Sequence, residues 1–249
     1  MNISESILLI TGGAKGIGNH LALSFSKSAQ KIIVIDKDEE ALDAIDKKSG
    51  ISCYACDLTN HEEVAKTIEA VYNECGDVNV LINNAGFIHS EPLLNIIKRD
   101  NPKHSIENWK KTIDINLNAV FYVSVNVAEK MYQRRIKNGV IINISSISAQ
   151  GNMGQSAYAA AKAGVEAMTK TWSKELGMFK IRSTAIAPGF FNTESTKNSL
   201  SENVLNKWEQ SVPLKRLGNL DEIVSGAKFI IENDYFNGKI LRIDGGLTI

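Results

Sequence analysis

Short apolar runs recur along the chain, each closed by glycine or a small polar residue. They are SILLIT from Ser6, KIIVID from Lys31, ISCYAC from Ile51, VNVLI from Val78, GVIINISS from Gly139, IRSTAIAPG from Ile181 and GKILRIDGG from Gly238. Runs so uniformly apolar predict strands covered on both faces, as parallel strands are. Between them lie stretches of helical period: Gly16 to about Ala29, about Glu39 to Lys48, His61 to Cys75, a helix capped by Ser105 through Trp109, Gln155 to Gly177, and the amphipathic segment that ends in IIEN. Strand and helix in alternation predict an α/β fold of the doubly wound kind. With 249 residues, one domain over residues 1–249 is the default. The polar stretch at about 190–212 reads as a loop and short helix, the form of a substrate lid.

The first strand runs into Gly12-Gly13-Ala14-Lys15-Gly16-Ile17-Gly18 and then into a helix. Strand, glycine turn and helix in that order make a phosphate site, because bare backbone can approach the ligand and helix N–H groups can meet it. The spacing is T-G-x-x-x-G-x-G. The second strand ends at Asp36, eighteen residues after Gly18, where a carboxylate would accept hydrogen bonds from an adenosine ribose and repel a 2′-phosphate. That favours NAD over NADP, although Lys15 and Lys37 pull the other way. Asp57-Leu58-Thr59 sit where an adenine ring would rest, and Asp57 or Thr59 also suits a helix cap. Asn83-Asn84-Ala85-Gly86 end the fourth strand, with asparagines suited to tie neighbouring strands.

Tyr158 and Lys162 are four apart in a helix, so both side chains leave one face. An ammonium one turn from a phenol is expected to draw its pKa down from about 10. Ser145 and Ser146 close the preceding strand, placed to hold a substrate oxygen. Tyr235 and Lys239 repeat the spacing, but Asn237-Gly238 between them marks a turn, so that pair is a decoy.

Charge narrows the classes. Basic and acidic residues number 28 each, which gives no reason to expect nucleic acid or an anionic membrane as partner. No apolar run is long enough to span a bilayer, and the N-terminus lacks the form of a secretory signal. Cys53, Cys56 and Cys75 are an odd number, which argues against a disulfide framework and for a reducing cytoplasm. Cys53 and Cys56 should face opposite sides of a strand, so no metal pair is expected. His89 and His104 read as loop histidines rather than catalytic groups.

Taken together, Thr11-Gly12-x-x-x-Gly16-x-Gly18, Asn83-Asn84-Ala85-Gly86, Asn116, Ser146, Tyr158-x-x-x-Lys162 and Pro188-Gly189-x-x-x-Thr193 resemble the short-chain dehydrogenase/reductase family, in its order and over almost the full length. The resemblance implies a Rossmann-type, seven-stranded parallel sheet with helices on both faces, a homotetramer or homodimer built partly on the Tyr158 helix, and hydride transfer between nicotinamide and a carbonyl or alcohol. It implies Ser146 and Tyr158 on the substrate oxygen, Lys162 on the nicotinamide ribose, and Asn116 holding a water in a proton path. Ser146 to Tyr158 spans twelve residues where the family usually has thirteen, so Ser145 stays open as the alternative. The expected cofactor set is Gly12, Lys15, Gly16, Ile17, Gly18, Asp36, Lys37, Asp57, Leu58, Asn84, Ala85, Gly86, Tyr158, Lys162, Pro188, Gly189, Phe191 and Thr193. Local stretches such as APGFF and IIENDYFNGKILRID are similar to NAD-linked type II 3-hydroxyacyl-CoA dehydrogenases, which also oxidise hydroxysteroids; that is the leading reading. GNMGQSAYAAAKAG is similar to NADPH-dependent 3-oxoacyl-acyl carrier protein reductases, the second reading. A non-catalytic NAD-binding scaffold is the rival of another class.

Overall fold

The computed structural model of the chain describes residues 1–97, 100–192 and 202–248, with side chains at 46–49 and 202–206 left aside. Seven strands form one sheet: β1 (Ile7–Thr11), β2 (Lys31–Asp36), β3 (Ser52–Ala55), β4 (Val80–Asn83), β5 (Gly139–Ile144), β6 (Ile181–Pro188) and β7 (Ile240–Ile243). Their order is β3-β2-β1-β4-β5-β6-β7, and every pairing is parallel. The described helices are α1 (Gly16–Phe25), α2 (Glu39–Ser49), α3 (His61–Cys75), α4 (Ile106–Ile113), α5 (Ala119–Gln133), α6 (Ser156–Glu175), α7 (Glu202–Ser211) and α8 (Leu220–Glu232).

Alternation along each strand splits the core in two. Leu8, Ile10 and Val34 pack with Phe25 of α1 and Ile223 and Ile230 of α8 on one face. Leu9, Ile33 and Ile35 pack with Ile68 of α3 and Val123 and Val127 of α5 on the other. Each fully buried side chain of this size contributes about 1.5–3 kcal/mol, so the uniformly apolar strands are explained by two covered faces rather than one. Cys53 joins the first cluster and Cys56 the second, on opposite sides as strand geometry requires.

Local signals set most helix ends. Asp38 caps α2 and Ser105 caps α4, each accepting a backbone N–H from the first turn. The cap of α3 is Asn60, whose side chain accepts from Glu62 and Glu63 N–H; Asp57 and Thr59, the candidates in sequence, instead bond each other in the turn before it. α1 stops at Phe25 instead of about Ala29, where Ser26-Lys27-Ser28 turns back on its own carbonyls. Between α4 and α5 the helix widens without breaking into a π-turn over Asp114–Asn118.

Candidate active site

The strand order reverses between β1 and β4, so a crevice opens beyond their carboxyl ends. Both ends are tied together there. Thr11 Oγ1 accepts from Asn84 N at 3.1 Å and Ala85 N at 3.2 Å, while Asn84 Nδ2 donates to the carbonyls of Thr11 (3.0 Å) and Gly12 (2.9 Å). A Cβ on Gly12 would lie 2.7 Å from Ala85 Cα, and one on Gly18 would lie 2.4 Å from Gly12 O. Glycine is therefore required twice by the packing of turn, helix and β4. Deeper, Asn83 Nδ2 donates to Asn143 Oδ1 and to Ser124 Oγ, both at 2.8 Å, and Asn143 Nδ2 donates to Thr169 Oγ1 of α6 at 2.9 Å. This buried polar chain crosses from α5 through β4 and β5 to α6.

The glycine turn has the form of an anion cradle. Gly12 and Gly16 have φ of +61° and +58°, and the space beside Gly16 is open to 4 Å. Lys15 sits at the N-cap of α1 without capping it, so no side chain covers the first-turn N–H groups. These features fit the phosphates of a dinucleotide. Asp36 stands at the tip of β2, held by Ala14 N to Oδ2 (3.0 Å) and Asp38 N to Oδ1 (3.2 Å). Lys15 Nζ is engaged by Asp38 at 2.5 Å, which leaves exposed Lys37 as the cation beside the strand tip not fixed in that pair. Hydrogen bonds from Thr59 hold the Asp57 carboxyl below its usual range, with a smaller pull from Lys37. Ile17 is half-buried against the first core cluster and Leu58 is buried in the second.

Tyr158, Lys162, Ser146 and Asn116 converge on the same crevice. Lys162 is 3% exposed and donates from Nζ to Ile144 O at 2.8 Å; the same ammonium lies 5.7 Å from the Tyr158 ring centre. Burial pushes the Tyr158 phenol up to about 12, and a hydrogen bond with Ser146 pulls it back only in part. Burial pulls Lys162 down to about 8. The expectation of a phenol made more acidic by its neighbour is thus corrected: burial raises Tyr158 and lowers Lys162. Ser146, twelve residues before Tyr158, is the serine that reaches the phenol, whereas Ser145 Oγ turns to Glu166 Oε1 at 3.1 Å.

Asn116 occupies the π-turn and is fully buried. Its Nδ2 donates to Phe87 O and Thr112 O at 3.0 Å each, and its Oδ1 accepts from Phe87 N at 3.2 Å. Oδ1 keeps a second lone pair beyond that bond. Gly86 explains its own identity: a Cβ there would stand 2.5 Å from Asn116 Oδ1 and 3.5 Å from Lys162 Nζ.

Pro188 ends β6, and a Cβ on Gly189 would lie 2.8 Å from Asp244 Cα, so packing just beyond β7 requires that glycine. Phe191 is a core residue whose ring fills the space a Cβ on Gly218 would take, and Phe190 stacks on Trp208 with centroids 4.2 Å apart. Thr193 and the middle of the expected lid, 193–201, lie outside the described residues. His89 and His104 gather on Glu91, not on Tyr158: His89 Nε2 is 3.2 Å from Glu91 Oε2, and His104 Nδ1 donates to Glu91 O at 3.0 Å. Hydrogen bonds from Asn108 and His89 lower Glu91 to about 2. Tyr235, the decoy, is wholly exposed on its turn. Sequence reasoning missed the roles of Thr11 and Asn143. An asparagine inside the apolar run VIINI was the available signal for the latter. Among the described residues no group of three or more His, Cys, Asp or Glu gathers as a metal site, and no helix is long and apolar enough to cross a membrane.

Comparison with known proteins agrees with this geometry. A family described as enoyl-(acyl carrier protein) reductase, within the short-chain dehydrogenases, matches residues 12–248. The chain is 35% identical, over all of both chains, to a protein of Thermotoga maritima named 3-oxoacyl-[acyl-carrier-protein] reductase FabG. Proteins of the same name from Chlamydia muridarum and Buchnera aphidicola are each 36% identical, over 96% and 99% of both chains.

Proposed function

The chain belongs to the short-chain dehydrogenase/reductase family of oxidoreductases, and from that premise we propose that it reduces the 3-keto group of an acyl thioester carried on acyl carrier protein. The observation that carries this reading is similarity to proteins of that name along the whole chain rather than in one stretch. It reverses the order of the two substrate readings, which had rested on Asp36 and on short local segments.

Gly12, Gly16 and the start of α1 would hold the dinucleotide phosphates, Asp36 the adenosine ribose, and Lys162 the nicotinamide ribose. When bound, the nicotinamide supplies the hydride. Ser146 and Tyr158 hold the substrate oxygen. Tyr158, kept protonated by burial, donates its proton as negative charge develops on that oxygen, and the alcohol results. Lys162 stabilises the phenolate left behind. Asn116 fixes the Phe87 backbone beside Gly86, shaping the wall near Lys162. Asp36, with Lys15 engaged by Asp38, supports NADH as the donor over NADPH. The assembly reading, a homotetramer or homodimer built partly on α6, belongs to the same proposal and rests on the family resemblance alone.

Initial rates with acetoacetyl thioesters test the reading. Turnover should be faster on the acyl carrier protein thioester than on the CoA thioester, and a crotonyl thioester should be inert. Faster use of the CoA thioester restores the first substrate reading, and reduction of the crotonyl double bond would support the enoyl reductase that the matched family describes. Tight cofactor binding with no turnover on any alcohol or ketone would mean a scaffold.

A further inference from the structure

Glu166 has no part in the reaction as proposed, yet it sits on α6 one turn beyond Lys162 and is only 9% exposed. A carboxylate at that depth needs partners. Ser145 Oγ donates to its Oε1 at 3.1 Å, and Arg242 Nη2 of β7 stands 3.8 Å from its Oε2. The partner just past β5, Ser145, is significant by its place. Ile144, Ser145 and Ser146 are consecutive: Lys162 Nζ holds the carbonyl of the first, Glu166 holds the hydroxyl of the second, and the third meets Tyr158. Ser145 N also continues the sheet, donating to Ile186 O at 2.7 Å. Neighbouring residues share a planar peptide, so anchoring Ser145 by both its hydroxyl and its N–H fixes the backbone from which Ser146 projects toward Tyr158.

We propose that Glu166 is a positioning residue: by holding Ser145, with Arg242 as counter-charge, it fixes the direction in which Ser146 presents its hydroxyl to Tyr158. The inference rests on the ketone-reducing role given above to Ser146 and Tyr158. Its test is a double-mutant cycle on the full chain, read as kcat and KM with acetoacetyl thioester and reduced cofactor, beside a thermal melt. Glu166→Ala should lower kcat about tenfold with the KM for cofactor unchanged, and in a Ser146→Ala background the same substitution should cost less than about twofold. Glu166→Gln keeps an oxygen for Ser145 and should recover most of the loss. If Glu166→Ala does not fold, Ser145→Ala carries the same cycle with the same expectation. Losses that simply multiply across the two sites, or an unchanged kcat in Glu166→Ala, would overturn the inference. A wild-type chain inactive on the ketone would overturn the functional reading and this inference with it. Active wild type with a multiplicative cycle removes the inference alone.

Discussion

Lys162 Nζ donates to the carbonyl oxygen of Ile144 across 2.8 Å, so the cation of α6 is anchored on the end of β5 rather than on the phenol of Tyr158. The pair it forms with Tyr158 is one of proximity, 5.7 Å to the ring centre, inside a site that desolvates both.

This arrangement gives the reaction a pH dependence of definite sign. Burial lowers Lys162 from 10.5 to about 8, so its positive charge is present below that pH and lost above it, while Tyr158, at about 12, stays a phenol throughout. Ketone reduction should therefore slow as pH rises through about 8, and Lys162→Arg, which cannot lose its proton, should flatten that limb at a lower absolute rate; a pH–kcat profile checks both. The unfolded chain holds the extra proton between about 8 and 10.5, so this residue's contribution to stability should improve with rising pH in that window.

Tyr158→Phe removes the proton donor and keeps the packing. Turnover should fall by about 10²–10⁴-fold, with cofactor affinity by fluorescence titration within a factor of about two of wild type.

Two glycines of the same turn should respond differently to alanine. Gly12→Ala meets both a positive φ and the backbone of Ala85 and should cost about 2–3 kcal/mol; Gly16→Ala meets a positive φ in open space and should cost about 1 kcal/mol. Denaturant titration of both variants separates the steric part from the conformational part.

Asn143→Ala cuts the buried chain in its middle, leaving Asn83 and Thr169 without a partner they share. A loss of about 2–4 kcal/mol is expected, and Asn83→Ala added to it should cost far less than it does alone. Melting curves of the four forms check the coupling.

Asp36→Ala removes the carboxylate that would repel a 2′-phosphate, with Lys37 exposed beside it. The ratio of kcat/KM for NADPH to that for NADH should rise by roughly tenfold or more.

Much of this was readable before any coordinates, and the reasons are particular. Uniform apolar strands gave the parallel sheet because both faces are covered; Gly12, Gly18 and Gly86 were expected against a ligand, and protein packing alone already requires each of them. Asn83 tying neighbouring strands could be anticipated from its place at a strand end; its partner could not, because pairing across β4 and β5 depends on register. The direction of the Tyr158 shift was misjudged for a different reason. Spacing tells how near a cation stands, but depth in the protein decides how strongly each charge is penalised, and depth is a property of the whole fold. Gly189 was expected at the ligand, and its packing against Asp244, more than fifty residues further along the chain, was not anticipated. The first order of the two substrate readings turned on Asp36 and on brief local likenesses, whereas similarity along the whole chain favours the other order.

The π-turn at Asp114–Asn118 carries one residue more than an ordinary α-helical turn would need. It works as a phase shim. Deleting a residue there would leave a smooth helix of nearly the same length, but one half would be rotated by about 100° against the other. Asn116 could then no longer point at Phe87 while Val123 and Val127 kept their seats against the sheet. Helix length in this region should thus tolerate change at its ends far better than at this one internal step.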